Sequence, residues 1–281
     1  MWITNASCYK IFSMEKKKIY AAFPEGKCKA LTLSYDDGTA DDLRLISIFR
    51  KYGLKATFNL NSDLCNTDDN RIDSNRWKEV YEGFEVASHT ATHPTLTRCP
   101  SFRVSEEILE DRRYIESIVG YPVRGFAYPN GAYSKEIIAL LPSLGISYAR
   151  IVGNTDAFEL PDDYYQWKAT CHHNHRLLEN AKAFIEFKKP WYLKLMYVWG
   201  HSFEFSKDDN WSLIEEFAKM VGGREDIWYA TNIDIVDYME ASKRLIFTAD
   251  SQKVFNPSAM DVWITVDDVP LYLKGGSFTS L

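Results

Sequence analysis

Four short stretches of this chain carry side chains that can hold a metal ion or move a proton: Ser34–Gly38 (SYDDG), His89–His93 (HTATH), Gly125–Gly131 (GFAYPNG) and Trp199–Ser202 (WGHS). The adjacent carboxylates Asp36 and Asp37 can point in different directions, one onto a cation and one toward a reacting water. The same pair is equally ordinary as the N-cap of a following helix. His89 and His93 are spaced i, i+4, which in a helical turn sets two imidazoles on one face within reach of one cation; a loop with exposed histidines has the same composition. Two imidazoles and one carboxylate suit zinc, cobalt, nickel or iron, and three protein ligands leave positions open for water and substrate. Pro129, Asn130 and Gly131 make a turn whose free backbone N–H groups can face a developing oxyanion, or which simply ends a strand. His201, preceded by a glycine, is placed either as a general acid or as a buried structural histidine.

Strand and helix patterns alternate around these stretches. Lys29–Asp36 reads as a strand, and Ala40–Tyr52 as a helix that stops at Gly53. Further strands are expected at Lys55–Asn61, Phe84–Ser88, Gly125–Tyr128, Ile146–Arg150, Trp167–Cys171, Trp191–Trp199 and Ile227–Thr231. Between them lie a loop with Asp-Asp-Asn, a short helix at Ser74–Tyr81, and a long helix marked by Val104, Ile108, Ile115 and Val119. Later helices are expected at Arg176–Lys188, around Leu213–Val221 and at Ile233–Leu245. Seven or eight strand-helix units imply parallel strands with crossover helices, hence a closed or nearly closed (β/α) barrel. The candidate residues fall just past strand ends, where barrel sites are built. After residue 245 short β runs at Leu245–Thr248, Val254–Phe255, Asp261–Val266 and Leu271–Leu273 indicate a small antiparallel appendage. The expected organisation is an N-terminal extension (1–28), a catalytic barrel (29–245) and a β appendage (246–281).

Composition narrows the function. The 281 residues are 46% hydrophobic and 26% charged, which excludes a disordered chain or a fibre. Lysine and arginine total 33 against 39 acidic residues, a formal charge of −6, so no basic stripe is available for nucleic acid, and anionic polymers are disfavoured as substrates. Even the most apolar segment, Trp191–Trp199, is short and holds Lys194, so no membrane span is expected. The N-terminus lacks a secretory pattern, Met14 offers an alternative start, and five cysteines (Cys8, Cys28, Cys65, Cys99, Cys171) outside CxxC pairs argue against a disulfide framework and a cysteine zinc site. The expected compartment is the cytoplasm.

Taken in order at four strand ends, SYDDG, HTATH, AYPNG and GHS resemble the polysaccharide deacetylases of the NodB-homology group, carbohydrate esterase family four, over about residues 29–240. The resemblance implies a distorted (β/α) barrel and a metal-dependent hydrolase of non-peptide C–N bonds that removes N-acetyl groups from a sugar or oligosaccharide. By motif position it implies Asp36 as catalytic base, Asp37, His89 and His93 as ligands of a divalent metal, most suitably zinc, the Asn130 N–H in the oxyanion hole, and His201 as acid. The family's third motif has an arginine that holds the base; here Ala127 stands at that position, and Arg124 lies three residues earlier. Trp199 replaces the leucine of the last motif. The Asp and Trp that buttress the acid are matched only loosely, by Asp162, Asp163 and Trp167. His172, in the run Cys171–His175, is a further candidate for lining the site or orienting a catalytic group, as are Trp167 and Trp199; a surface histidine cluster is the other reading of that run. Two other functions stay open: opening of cyclic amides or ureides, which the missing arginine favours, and sugar binding without turnover, to which eight tryptophans could lend stacking surfaces.

Overall fold

The computed structural model describes residues 16–67 and 70–281; Cys8, Met14 and part of the Asp-Asp-Asn loop lie outside them. The chain divides into two compact units. One comprises residues 27–240, and the other joins residues up to 26 with residues 241–281.

In chain order the strands are Ile19–Ala22 (β1), Lys29–Asp36 (β2), Thr57–Leu60 (β3), Glu85–Ser88 (β4), Gly125–Ala127 (β5), Tyr148–Asn154 (β6), Trp167–Ala169 (β7), Cys171–His172 (β8), Lys194–His201 (β9) and Ile227–Tyr229 (β10). The helices are Asp42–Tyr52 (α1), Trp77–Val80 (α2), Ser101–Val119 (α3), Lys135–Leu140 (α4), Leu177–Glu186 (α5), Phe203–Lys207 (α6), Trp211–Val221 (α7) and Asn232–Lys243 (α8). In the larger unit the strands form one 9-stranded parallel sheet in the order β7-β6-β5-β4-β3-β2-β9-β8, with β10 also on β2. This is the nearly closed barrel expected from the sequence. The strand expected at Trp191 begins later, at Lys194, because a turn opens at Pro190.

The ends of that strand order are consecutive in the chain. β7 pairs with β6, β8 pairs with β9, and only Thr170 separates them. Its carbonyl accepts from Asp156 N on the β6 side (2.9 Å), while its hydroxyl accepts from Tyr197 N of β9 (3.1 Å) and donates to Ala157 O (2.9 Å). One segment thus closes the barrel by changing partners at a single residue. The strand expected over Trp167–Cys171 is therefore two.

Alternation along the strands sorts polar from apolar side chains. In β2, Leu31, Leu33 and Tyr35 join the apolar cluster that includes Ile46 and Phe49 of α1 and Phe217 of α7. Thr32, Ser34 and Asp36 face the other way and bond to Asn232, Asn59 and Arg150. The interior of the barrel is thus a buried polar and aromatic network, and Asp36 is its topmost member on β2.

The smaller unit holds two three-stranded antiparallel sheets. β1 pairs with Val262–Val266 (β13), which pairs with Val269–Leu273 (β14); Ile246–Phe247 (β11), Lys253–Asn256 (β12) and Ser277–Ser280 (β15) form the other. Asp267 and Asp268 make the two-residue hairpin turn between β13 and β14, both with positive φ (50° and 67°), as a type I′ turn requires. Val254, Ile264 and Leu273 form its core, with Ile19 packed against them.

Candidate active site

Register brings the first two catalytic candidates together. Asp36 at the end of β2 is the cross-strand partner of Asn59 on β3 and of His201 on β9. Asn59 Nδ2 donates to Asp36 Oδ1 (2.8 Å), and His201 Nε2 lies 3.8 Å from Oδ2. The Arg150 guanidinium forms a direct ion pair with Oδ2. Burial alone would raise the Asp36 carboxyl, but Arg150, then His89, His201 and the Asn59 hydrogen bond, hold it below the usual carboxylate range.

Arg150 answers the gap at Ala127. It stands on β6 directly opposite Ala127 in the β5–β6 register, so the guanidinium comes from the neighbouring strand at the same height. It is buried, and its face rests on the Trp199 ring, 4.5 Å from the centroid. Arg124 points elsewhere, in a bidentate pair with Asp237 (2.8 and 2.6 Å).

Asp37 turns away from Asp36. Its φ of 80° is in the left-handed region, and its Oδ1 lies 3.9 Å from both His89 Nε2 and His93 Nε2. One ligand atom from each of Asp37, His89 and His93 falls within 4.8 Å of the others. The two histidines do not sit on a helical turn, as their spacing suggests. Residues 89–93 are a loop in which Thr90 and His93 have positive φ (68° and 57°), and this reversal, with His93 N bonded to Thr90 Oγ1 (3.1 Å), brings the rings to 4.8 Å.

The loop is held from below by two acids that the sequence reading did not single out. Glu107 of α3 accepts from Thr92 N (2.9 Å) and Thr92 Oγ1 (2.7 Å), and Asp111 accepts from His89 N (3.2 Å) and Ser62 N (2.7 Å). Both lie on the buried face with Val104, Ile108 and Ile115, so a polar pair within an apolar helical stripe was the available signal. Burial pushes Asp111 up to about 7.

The donor set fits a divalent cation. His89 Nδ1 is 2.8 Å from Ala127 O, and since a carbonyl only accepts, Nδ1 carries the proton and Nε2 keeps its lone pair for the site. Burial, ahead of the opposing carboxylates, keeps the His89 pKa below its ordinary value and the ring in this neutral form. Asn130 stands at the same end of the barrel with φ 55°, in the Pro129–Gly131 turn that follows β5, its amide 3.3 Å from Thr95 Oγ1.

On the other flank His201 meets Glu204 of α6, three residues on, with Nδ1 to Oε1 at 3.4 Å. Burial lowers the His201 pKa, but Glu204, Asp36 and Asp37 together raise it. His172 Nε2 and His173 Nε2 lie 3.0 and 3.1 Å from Glu204 Oε2. Glu204, like Arg150, was missed by the sequence reading. His172 stacks edge-on against Trp199 (4.7 Å), which places both at the site. Trp167 instead packs among Tyr148, Tyr164 and Tyr197, and it lines a cavity of about 420 Å³ with Asp162 and Asp163. Gly200 has a steric reason: a Cβ there would lie 2.0 Å from His173 Nδ1.

Residues 24–149 match the family model described as polysaccharide deacetylase. The chain is 26% identical over 126 residues to the uncharacterised Bacillus subtilis protein YlxY, covering 45% of this chain and 38% of that protein. It is 36% identical over 69 residues to a Bradyrhizobium chitooligosaccharide deacetylase, 24% of this chain and 32% of that protein, so it spans well under half the length of either relative. A crystal structure from Mycobacterium smegmatis, named for the polysaccharide deacetylases, superposes with a TM-score of 0.60 over 80% of this chain and 95% of that one; at 16% identity the likeness is one of fold. The family match ends at residue 149, so Arg150, His172, His201 and Glu204 all lie beyond it.

Proposed function

We propose, for a chain that belongs to the polysaccharide deacetylase family, that it removes the N-acetyl group from an N-acetylated sugar or oligosaccharide by metal-dependent hydrolysis, releasing acetate and an amino sugar. One observation carries the reading: a buried carboxylate, Asp36, is held ionised by Arg150 beside a three-residue cation site and opposite a histidine.

Asp37, His89 and His93 would hold the cation, whose chemistry is to polarise the amide carbonyl and make water more acidic. Asp36 takes the proton of the attacking water as its oxygen bonds to the carbonyl carbon. Arg150 and Asn59 occupy Asp36 from two sides, which keeps it charged and fixes the direction of its free lone pair. The Asn130 N–H donates to the oxyanion. As the C–N bond breaks, His201 gives the proton at Nε2 to the departing nitrogen, while Glu204 faces Nδ1 and steadies the ring. Trp199 supports this geometry through the Arg150 guanidinium and offers an apolar wall beside it.

Ring opening of cyclic amides was attractive because Ala127 left the base without its arginine; Arg150 removes that ground. The test is acetate release from N-acetylglucosamine and its oligomers by metal-loaded protein, repeated after chelation and with Asp36→Asn. Release that chelation and Asp36→Asn both abolish is expected. Full activity after chelation, or sugar binding with no acetate from the loaded protein, would overturn the proposal.

A further inference from the structure

On the far side of Asp36 from Asp37, His89 and His93 lies a second convergence of metal-ligating side chains. One ligand atom from each of His172, His201 and Glu204 falls within 4.8 Å of the others, as in the first set. His172 ends β8, His201 ends the neighbouring strand β9 and Glu204 belongs to α6, which follows β9, so three elements meet there. Glu204 Oε2 is 3.0 Å from His172 Nε2 and 3.1 Å from His173 Nε2, and Oε1 is 3.4 Å from His201 Nδ1.

Two of these three separations come without a directed hydrogen bond. His201 Nδ1 and both ring nitrogens of His173, a fully buried residue, have no hydrogen-bond partner. An N–H aimed at the carboxylate would satisfy them. Nitrogens and carboxylate oxygens converging on a common point fit this pattern, since atoms bound about 2 Å from one cation stand roughly 3 Å apart; at His172, whose Nδ1 accepts from Asn174 N (3.2 Å), a cation on Nε2 requires the ring proton to leave that nitrogen. Two imidazoles and a carboxylate are also the donors of the first set, and that mixture favours zinc, cobalt or nickel over calcium or magnesium.

We infer that His172, His201 and Glu204, backed by His173, form a second divalent-cation site next to the first. A consequence rests on the deacetylase reading. The cation takes the Nδ1 lone pair of His201, which carries a proton when the ring is the charged acid, so the two compete. One equivalent of zinc then supports acetate release and the next suppresses it.

The test is equilibrium dialysis of the full chain against graded zinc, with bound metal counted by elemental analysis and folding checked by circular dichroism. Wild type is expected to bind one more ion per chain than either His172→Ala or Glu204→Gln, and His93→Ala to lose a different one, so that the His93→Ala/His172→Ala pair loses both. Cobalt titration of the wild type should show two absorbing equivalents. A single equivalent in that titration, or folded His172→Ala and Glu204→Gln binding as much zinc as wild type, would overturn the site whether or not the chain is a deacetylase. Acetate release that falls at high zinc in wild type but not in His172→Ala is the expected functional counterpart.

Discussion

Replacing Arg150 by methionine keeps the apolar stem and removes the charge. Asp36 would then stay buried with Asn59 as its nearest donor and no cation in contact. Breaking a buried pair by removing one partner costs about 3–5 kcal/mol. The carboxyl escapes that cost by taking a proton, which disables it as a base. At about 1.4 kcal/mol per tenfold, kcat/KM for acetate release at neutral pH should fall by roughly two to three and a half orders of magnitude. The sign with pH follows from the depressed Asp36 pKa: wild type keeps its base ionised well into acid, and the variant's acid limb moves upward. Arg150→Lys should lose less. The register supplies a sharper control, because Ala127 is the cross-strand partner of Arg150. Ala127→Arg in an Arg150→Ala background should recover at least about tenfold over Arg150→Ala alone, a step of roughly 1.4 kcal/mol. An Arg150→Met protein with wild-type kcat/KM, an unshifted acid limb and full metal content would refute the argument.

Gly200→Ala should lower stability by about 1–3 kcal/mol, since its methyl group meets His173 Nδ1 at 2.0 Å; a fall in Tm that His173→Ala relieves is the expected result, and an unchanged Tm would count against it. Glu85 is buried and pushed from 4.5 to about 7, chiefly by burial. A raised folded-state value means that stabilisation is complete below about pH 4.5 and lost as pH rises through about 7, at a scale of about 3 kcal/mol. Urea unfolding from pH 5 to 8 should therefore show wild type losing ground to Glu85→Gln by that order, and a pH-independent difference between them would refute it.

The barrel was legible because its strands and helices differ in period, and the β2 segment lies where its alternation places it. The grouping of Asp37, His89 and His93 was legible because they sit in short motifs at strand ends. Its geometry was not, since the i, i+4 spacing of His89 and His93 reads as a helical turn while left-handed Thr90 and His93 fold the loop back. Arg150 escaped notice because it belongs to the site through cross-strand register, a relation between residues 127 and 150 that no local window contains. Glu204 hid in a five-residue helix, too short for periodicity to announce. The polar alternation of Thr32, Ser34 and Asp36 was visible all along, and it marks a strand whose inner face serves a buried network rather than an apolar core.

The change of partner at Thr170 bears on solubility. An open parallel sheet would end in two rows of unpaired backbone groups, which invite pairing with other chains. Here the strands that would be those margins are one continuous stretch of chain, so sealing them requires no crossover connection and leaves no margin to shield on that side. The seal depends on a hydroxyl taking the place of a ladder bond to Tyr197 N, which makes a threonine with no chemical task the residue that keeps the sheet from acting as a template.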